Sequence, residues 1–269
     1  MGWQACGYRL TLSFKGIQLM RPFRLLAVLS PMLVALPLQA QQFANTCHAS
    51  SSYDVTLRAD SLLFDRAAPA PLRVELQQGT LRTDGMPVRL SAEDQDRLSL
   101  FERDARALAP RVREVAQNGV DMAAQALRAE AGGMGMSADT RAEFDRRLAA
   151  DAGEIKQRIA ASRSTRDWQG DVGEQYANQI VADLMPLLAA DLGQQAMNAA
   201  LSGDLQAAAN LRDRATSLAT ELQPRLQRRM QALQPQVAAL CPAIQRLAEL
   251  QQGVRGNDGR PLNLLQIGQ

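Results

Sequence analysis

GTLRTDGMPVRLSAEDQDRLSLFERDARAL, residues 79–108, carries the change of period on which the fold turns. Asp84-Gly85 stands between two short alternating runs, and this dipeptide favours a tight hairpin because Gly accepts positive φ without steric cost. After Leu90 the period becomes helical. Ser91 is placed to cap a helix, with Glu93, Asp94 and Asp96 in or near a first turn whose free N–H groups attract acids. From there Leu98, Phe101, Ala105, Leu108, Val112, Val115, Gly119, Met122 and Ala126 recur at alternating spacings of three and four, a coiled-coil-like seam. Pro110 lies within it and is expected to kink it.

Upstream of the hairpin the period is two. Val55 and Leu57 alternate within Tyr53 to Arg58, Leu62 to Phe64 follows, and Leu72, Val74 and Leu76 alternate with Arg73 and Glu75 after the Pro69-Ala70-Pro71 break. Downstream everything reads as helix. GGMGMS (132–137) is a hinge loop; it follows no strand, so its glycines do not make a phosphate cradle. A second helix over 139–162 buries Phe144, Leu148, Ile155 and Ile159, and Trp168 and Gly170 fall in the break behind it. A third, over 172–201, carries Tyr176, Ile180, Leu184, Leu188 and Leu192, with Pro186 as a kink and Gly203-Asp204 as stop and next cap. The last region, 204–252, has the stripe Leu211, Ala215, Leu218, Leu222, Leu226, Met230, Leu233, Val237, Leu240, Ile244, Leu247, which Pro224, Pro235 and Pro242 are expected to bend or split. Residues 253–269 form a Gly-rich tail in which Leu262 to Ile267 can make a short strand. The expected fold class is α+β, predominantly α: a small antiparallel β-region followed by four or five long amphipathic, Pro-kinked helices.

The N-terminal residues read differently. Arg21 and Arg24 precede an uncharged run, LLAVLSPMLVALPL (25–38), and Leu38-Gln39-Ala40 supplies a small residue for cleavage. That is the pattern of a secretory signal peptide over 20–40, cleaved near Ala40 and Gln41. The run is too short for the roughly 20 apolar residues of a membrane-spanning helix. Residues 1–19 sit in front of a complete leader, which points to translation starting at Met20; a leader with an extended n-region is the alternative. The mature chain, 41–269, is expected to be one domain, with a β-region at 41–90, a helical region at 91–252 and the tail at 253–269.

Four of the 30 basic residues (Arg9, Lys15, Arg21, Arg24) and none of the 28 acidic ones lie before residue 41, so the mature balance is 26 against 28, or −2. A chain this near neutrality lacks the clustered basic face of a nucleic-acid binder. Cys6 lies before residue 41, so the mature chain keeps Cys47 and Cys241, an even pair near opposite ends. In an oxidising compartment two such thiols are expected to pair, two free buried cysteines being the alternative.

The order of these features, from the leader through Cys47, the Tyr53-Asp54-Val55 strand and GTLRTDGMPVRLSAEDQDRL (79–98) to Cys241, resembles the YggN-like family of uncharacterised secreted proteins of Gram-negative bacteria. Gly79, Asp84-Gly85, Leu90-Ser91 and Pro110 carry the resemblance most specifically. It implies a periplasmic location and brings no activity, cofactor or catalytic residue.

Chemistry is sparse. His48, the sole histidine, lies in the polar stretch HASSSY and reads as a solvated loop residue. One imidazole and two cysteines expected to pair cannot assemble a usual zinc site, Glu93-Asp94-Gln95-Asp96 does not follow a calcium-loop pattern, and no G-x-S-x-G is present. No catalytic, cofactor-binding or metal residue is assigned. Aromatic side chains are few, which leaves little for stacking sugars or bases. Arg225, Arg228 and Arg229 form a basic cluster that reads as a solvated helix face, with contact to anionic lipid as the alternative. The leading functional expectation is a non-enzymatic envelope scaffold, adaptor or chaperone-like binder that holds another envelope protein through a helical face. The others are a cell-wall hydrolase using a carboxylate pair and a peripheral binder of anionic lipid. Neither nucleic acid nor a transmembrane anchor in the mature chain is expected.

Overall fold

A computed structural model describes residues 46–168 and 172–268, without the side chains at 208, 212, 214–223 and 226. The leader at 20–40, its boundary at Ala40 and Gln41, the stretch 1–19 and Gly170 lie outside the described residues, as do the side chains of Ala215, Leu218, Leu222 and Leu226.

The short strand β1 (Ala49–Ser50) precedes a five-stranded antiparallel meander of β2 (Asp54–Leu57), β3 (Leu62–Asp65), β4 (Arg73–Gln77), β5 (Thr80–Thr83) and β6 (Met86–Pro87), each strand paired with its sequence neighbour. Two of its turns are two-residue turns of the left-handed type. Asp84 and Gly85 adopt φ of 48° and 80° between β5 and β6, as the sequence predicts. Gln78 and Gly79 adopt 50° and 79° between β4 and β5, a second such turn. Asp84 also accepts the backbone N–H groups of Leu72 and Arg73 at 2.8 and 2.9 Å, so the hairpin tip anchors the start of β4. The outer edge of β2 is covered by residues 163–165: Leu57 N–H donates to Arg163 C=O at 2.8 Å and Val55 N–H to Thr165 Oγ1 at 2.9 Å. No open row of backbone groups is left along that strand.

Helices follow. α1 (Ala92–Gly132) is capped by Ser91, whose Oγ accepts from Asp94 N–H at 3.1 Å. It runs on through Pro110, which lies on its exposed face. α2 (Ala138–Ala161) is capped by Ser137 and ends before a 3₁₀ turn, Thr165–Trp168. α3 (Val172–Ser202) and α4 (Leu205–Met230) form a hairpin turned at Gly203 and capped by Asp204. The prolines of the last region act unequally. α4 continues through Pro224, whereas Pro235 and Pro242 sit in the first turns of α5 (Gln234–Ala238) and α6 (Cys241–Gln251), where a missing N–H costs nothing. β7 (Gln266–Ile267) closes on β1. The fold class is α+β and mostly α, as expected.

Three buried clusters hold these elements together. Leu62, Phe64, Val74, Leu76 and Leu81 form the inner face of the sheet and pack on Leu98 and Phe101 of α1, on Leu247 of α6, and on Val254, Leu262 and Leu264 of the tail. Ala124 and Ala131 of α1, Phe144, Leu148 and Ala152 of α2 and Leu184 of α3 make the second. Val115 of α1 with Leu233, Val237 and Leu240 makes the third. Cys47 and Cys241 are disulfide-bonded with Cα atoms 5.1 Å apart, tying the start of the sheet region to the start of α6.

Candidate interaction surface

The α1 seam is spent inside the molecule. Leu98, Phe101, Val115, Gly119 and Ala126 are buried and Ala105, Leu108 and Met122 half-buried, leaving Val112 exposed. Of the second stripe, Leu233, Val237, Leu240 and Leu247 are buried and Leu211, Met230 and Ile244 half-buried. The described residues of the two seams thus hold the fold and present no continuous apolar groove.

Apolar surface emerges elsewhere. α2 covers α3 in antiparallel register: the Arg158 guanidinium lies over the Tyr176 ring at 5.3 Å and Arg147 donates to Asp183 C=O at 3.0 Å. The α1–α2 loop meets α3 at Asp191, which accepts from Ser137 N–H at 3.2 Å, Thr140 Oγ1 at 2.9 Å and Gln195 Nε2 at 2.6 Å. Burial acts most strongly on the Asp191 carboxyl and would raise its pKa; these donors outweigh it and hold the group below its ordinary value. Gln195 also donates to Gly135 C=O, the last such tie along α3 among the described residues. Beyond it about two more turns of α3 continue, roughly 10 Å, and α4 starts back alongside. Among the described residues, bonds in this tip stay local: Gln194 to Asn198, Ser202 to Ala199 C=O, Gln206 to Asn210, and Ala207 N–H to the Asp204 cap.

The tip exposes Met197 at 57%, Leu201 at 82% and Leu205 at 84%. Leu201 and Leu205 face water more completely than any other large apolar side chain described. Within residues 192–211 the sole charge is Asp204, itself engaged as the helix cap. Burying side chains of this size against a partner is worth about 1.5–3 kcal/mol each. Neither leucine belongs to a helical stripe read from the sequence. The signal that could have found them is the loss of charge over 192–211 together with Leu201 and Leu205 flanking a Gly-Asp turn.

Other residues weighed in the sequence are accounted for as follows. His48 is exposed in a turn at φ 49°. Arg225 and Arg229 reach Glu130 of α1 at 3.1 and 3.7 Å, so two of the three clustered arginines help hold α4 to α1. Among the described residues, no group of three or more His, Cys, Asp or Glu side chains is arranged to hold a metal ion, and no helix is long and apolar enough to cross a membrane. Trp168 and Tyr176 come together with ring centroids 6.3 Å apart beside a shallow groove, a pairing that the sequence did not reveal. The carboxyls of Asp151 on α2 and Asp183 on α3 face each other within the helical layer. Asp151 is 8% exposed, so they do not form an open cleft.

The family described as "Protein of unknown function (DUF2884)" matches residues 47–260, from the disulfide's first cysteine to the tail, and the chain belongs to that family. No curated protein and no solved structure matches the chain.

Proposed function

We propose that this member of the DUF2884 family is a non-enzymatic binder of the cell envelope, which engages an apolar surface of another envelope polypeptide through the tip of its α3–α4 hairpin. The carrying observation is the pair Leu201 and Leu205, exposed at 82% and 84% on a nearly uncharged helical tip. An envelope location is supported by the leader pattern at 20–40, by the resemblance to secreted YggN-like proteins and by the disulfide between Cys47 and Cys241. The tip also favours a polypeptide partner over anionic lipid, since it carries neither the basic residues nor the Trp that anchor helices at a membrane surface. A wall hydrolase would need two carboxyls about 5–9.5 Å apart across a sugar. Asp151 is 8% exposed and faces Asp183 between packed helices, which suits structure better than glycosidic cleavage.

The test is site-specific photo-crosslinking in the cell, with the probe at Leu201 or Leu205 and a control probe at the exposed Gln125 of α1. A discrete adduct is expected from the tip positions and is lost when the other tip leucine is changed to Ser. Equal labelling from Gln125, or an adduct indifferent to the second substitution, would defeat the proposal.

A further inference from the structure

Asp151 lies on the face of α2 that carries Leu148 and Ala152, both packed against Leu184 of α3. Its residue is 8% exposed and its Oδ2 is buried with no hydrogen-bond donor in reach. A buried carboxylate oxygen left without a donor is costly, so such groups are normally paired or neutral. The neighbour that faces it is another acid. Arg147, one turn before Asp151, donates to the backbone carbonyl of Asp183 at 3.0 Å, and this register sets the Asp183 side chain against Asp151. The remaining charged groups that act on Asp151 belong to its own helix: Glu154, which adds to the repulsion, and Arg147, which opposes it. Arg147 is itself engaged by Glu143 at 2.5 Å.

Two ionised carboxylates repel each other at this site unless a proton or cation lies between them. We infer that folding favours the protonated form of Asp151 and that, while protonated, it donates to Asp183, so that a carboxylic acid–carboxylate hydrogen bond joins α2 to α3 in acid. The Asp151 O–H is the donor, the Asp183 carboxylate oxygen the acceptor, and the pair carries one negative charge. The joint is therefore sensitive to protons. Deprotonating Asp151 places two negative charges in contact across the interface and removes the only donor between them.

Burial first, then the charge and hydrogen bond of Asp183, hold Asp151 above its ordinary pKa of 3.8. The folded state thus binds more protons than the unfolded chain, and the joint weakens as pH rises from about 3.8 through the folded midpoint, then stays level.

The experiment is a carboxyl-carbon NMR titration of the full-length protein, with Asp151 assigned through its backbone correlations and titrated again in Asp183→Asn. The expected midpoint for Asp151 lies above 3.8 in the wild type and moves down in the variant. An ordinary or lowered wild-type midpoint, as a cation between the two acids would produce, overturns the inference. So does a midpoint that Asp183→Asn leaves in place. Melting temperature against pH gives a second readout: Asp151→Asn should gain on the wild type as pH rises, and a difference constant with pH also overturns it. The wild-type titration decides even where a variant fails to fold.

Discussion

Cys47 and Cys241, 194 positions apart in the chain, are joined by a disulfide that makes one closed loop of the five-stranded sheet and the helices α1 to α5. Cross-linking so distant a pair restricts the unfolded chain by about 5 kcal/mol in the loop-entropy account, in which the logarithm of loop length sets the gain. Cys47→Ser should lower unfolding stability by about 2–5 kcal/mol with helix content retained, as urea titration followed by circular dichroism would show. An unchanged midpoint would mean that the bond does not constrain the denatured state.

Gly79 and Gly85 both take positive φ, yet they should respond differently to replacement. A Cβ at Gly79 would come within 2.3 Å of Ser99 Oγ and 2.6 Å of Gln95 C=O on α1, whereas one at Gly85 meets nothing within 4 Å. Gly85→Ala carries only the left-handed backbone cost, about 1–2 kcal/mol. Gly79→Ala adds a backbone clash between the sheet and α1, and about 1–3 kcal/mol more is expected. Equal losses in thermal unfolding would show that the sheet and α1 do not approach as closely as described.

Asp191 is a carboxylate whose pKa is held below its ordinary 3.8. Its contribution is full above about 3.8 and is lost as pH falls through the folded value. Asp191→Ala should therefore lower the melting temperature at neutral pH, with the gap closing in acid. This is opposite in sign to the behaviour of Asp151. A gap that persists at pH 2 would assign the loss to packing and not to the donors of Ser137, Thr140 and Gln195.

Leu201→Ser with Leu205→Ser should leave stability within about 0.5 kcal/mol while reducing the binding of a hydrophobic dye. Leu98→Ala, at a side chain with 0% exposure, should cost about 2–5 kcal/mol. Comparable losses from the two changes would place the tip leucines in a core.

N-terminal sequencing of the exported protein should begin at Gln41. A first residue at or before Met20 would refute the leader reading of 20–40.

Much of this architecture is legible wherever local chemistry decides alone. Asp84-Gly85, Ser91 and Gly203-Asp204 behave as their residue types dictate, because positive φ and a free helix N–H are local demands. Gln78-Gly79 is harder to read, since Gln has no marked preference for the left-handed region and its N–H is instead held by Glu102 at 2.8 Å, 24 residues away. The tail reads as a Gly-rich exit with a short strand within 262–267, and nothing local announces that Val254, Leu262 and Leu264 are each 1% exposed in the main core. Asp151 and Asp191 lie on buried helix faces, three residues beyond Leu148 and Leu188. Their spacing places them on those faces, whereas an acidic side chain is by type a mark of a solvated position. The tip leucines were missed for the converse reason: they belong to no stripe, and their meaning depends on how far α2 extends along α3.

The sheet's core is sealed by residues from the far end of the chain. β2 to β5 can zip locally through short turns, but the apolar face they form is covered by Leu247, Val254, Leu262 and Leu264, and β1 waits for β7. A chain delivered N-terminus first would cover that face with Leu98 and Phe101 of α1 but leave the rest of it bare until its last twenty or so residues arrived, a long interval of high contact order in which unpaired apolar surface invites association. The time spent half-sealed would then be set by delivery of the C-terminal segment, and a chain stopped short of Leu262 would keep β2 to β6 but lack the part of their cover that Leu262 and Leu264 supply.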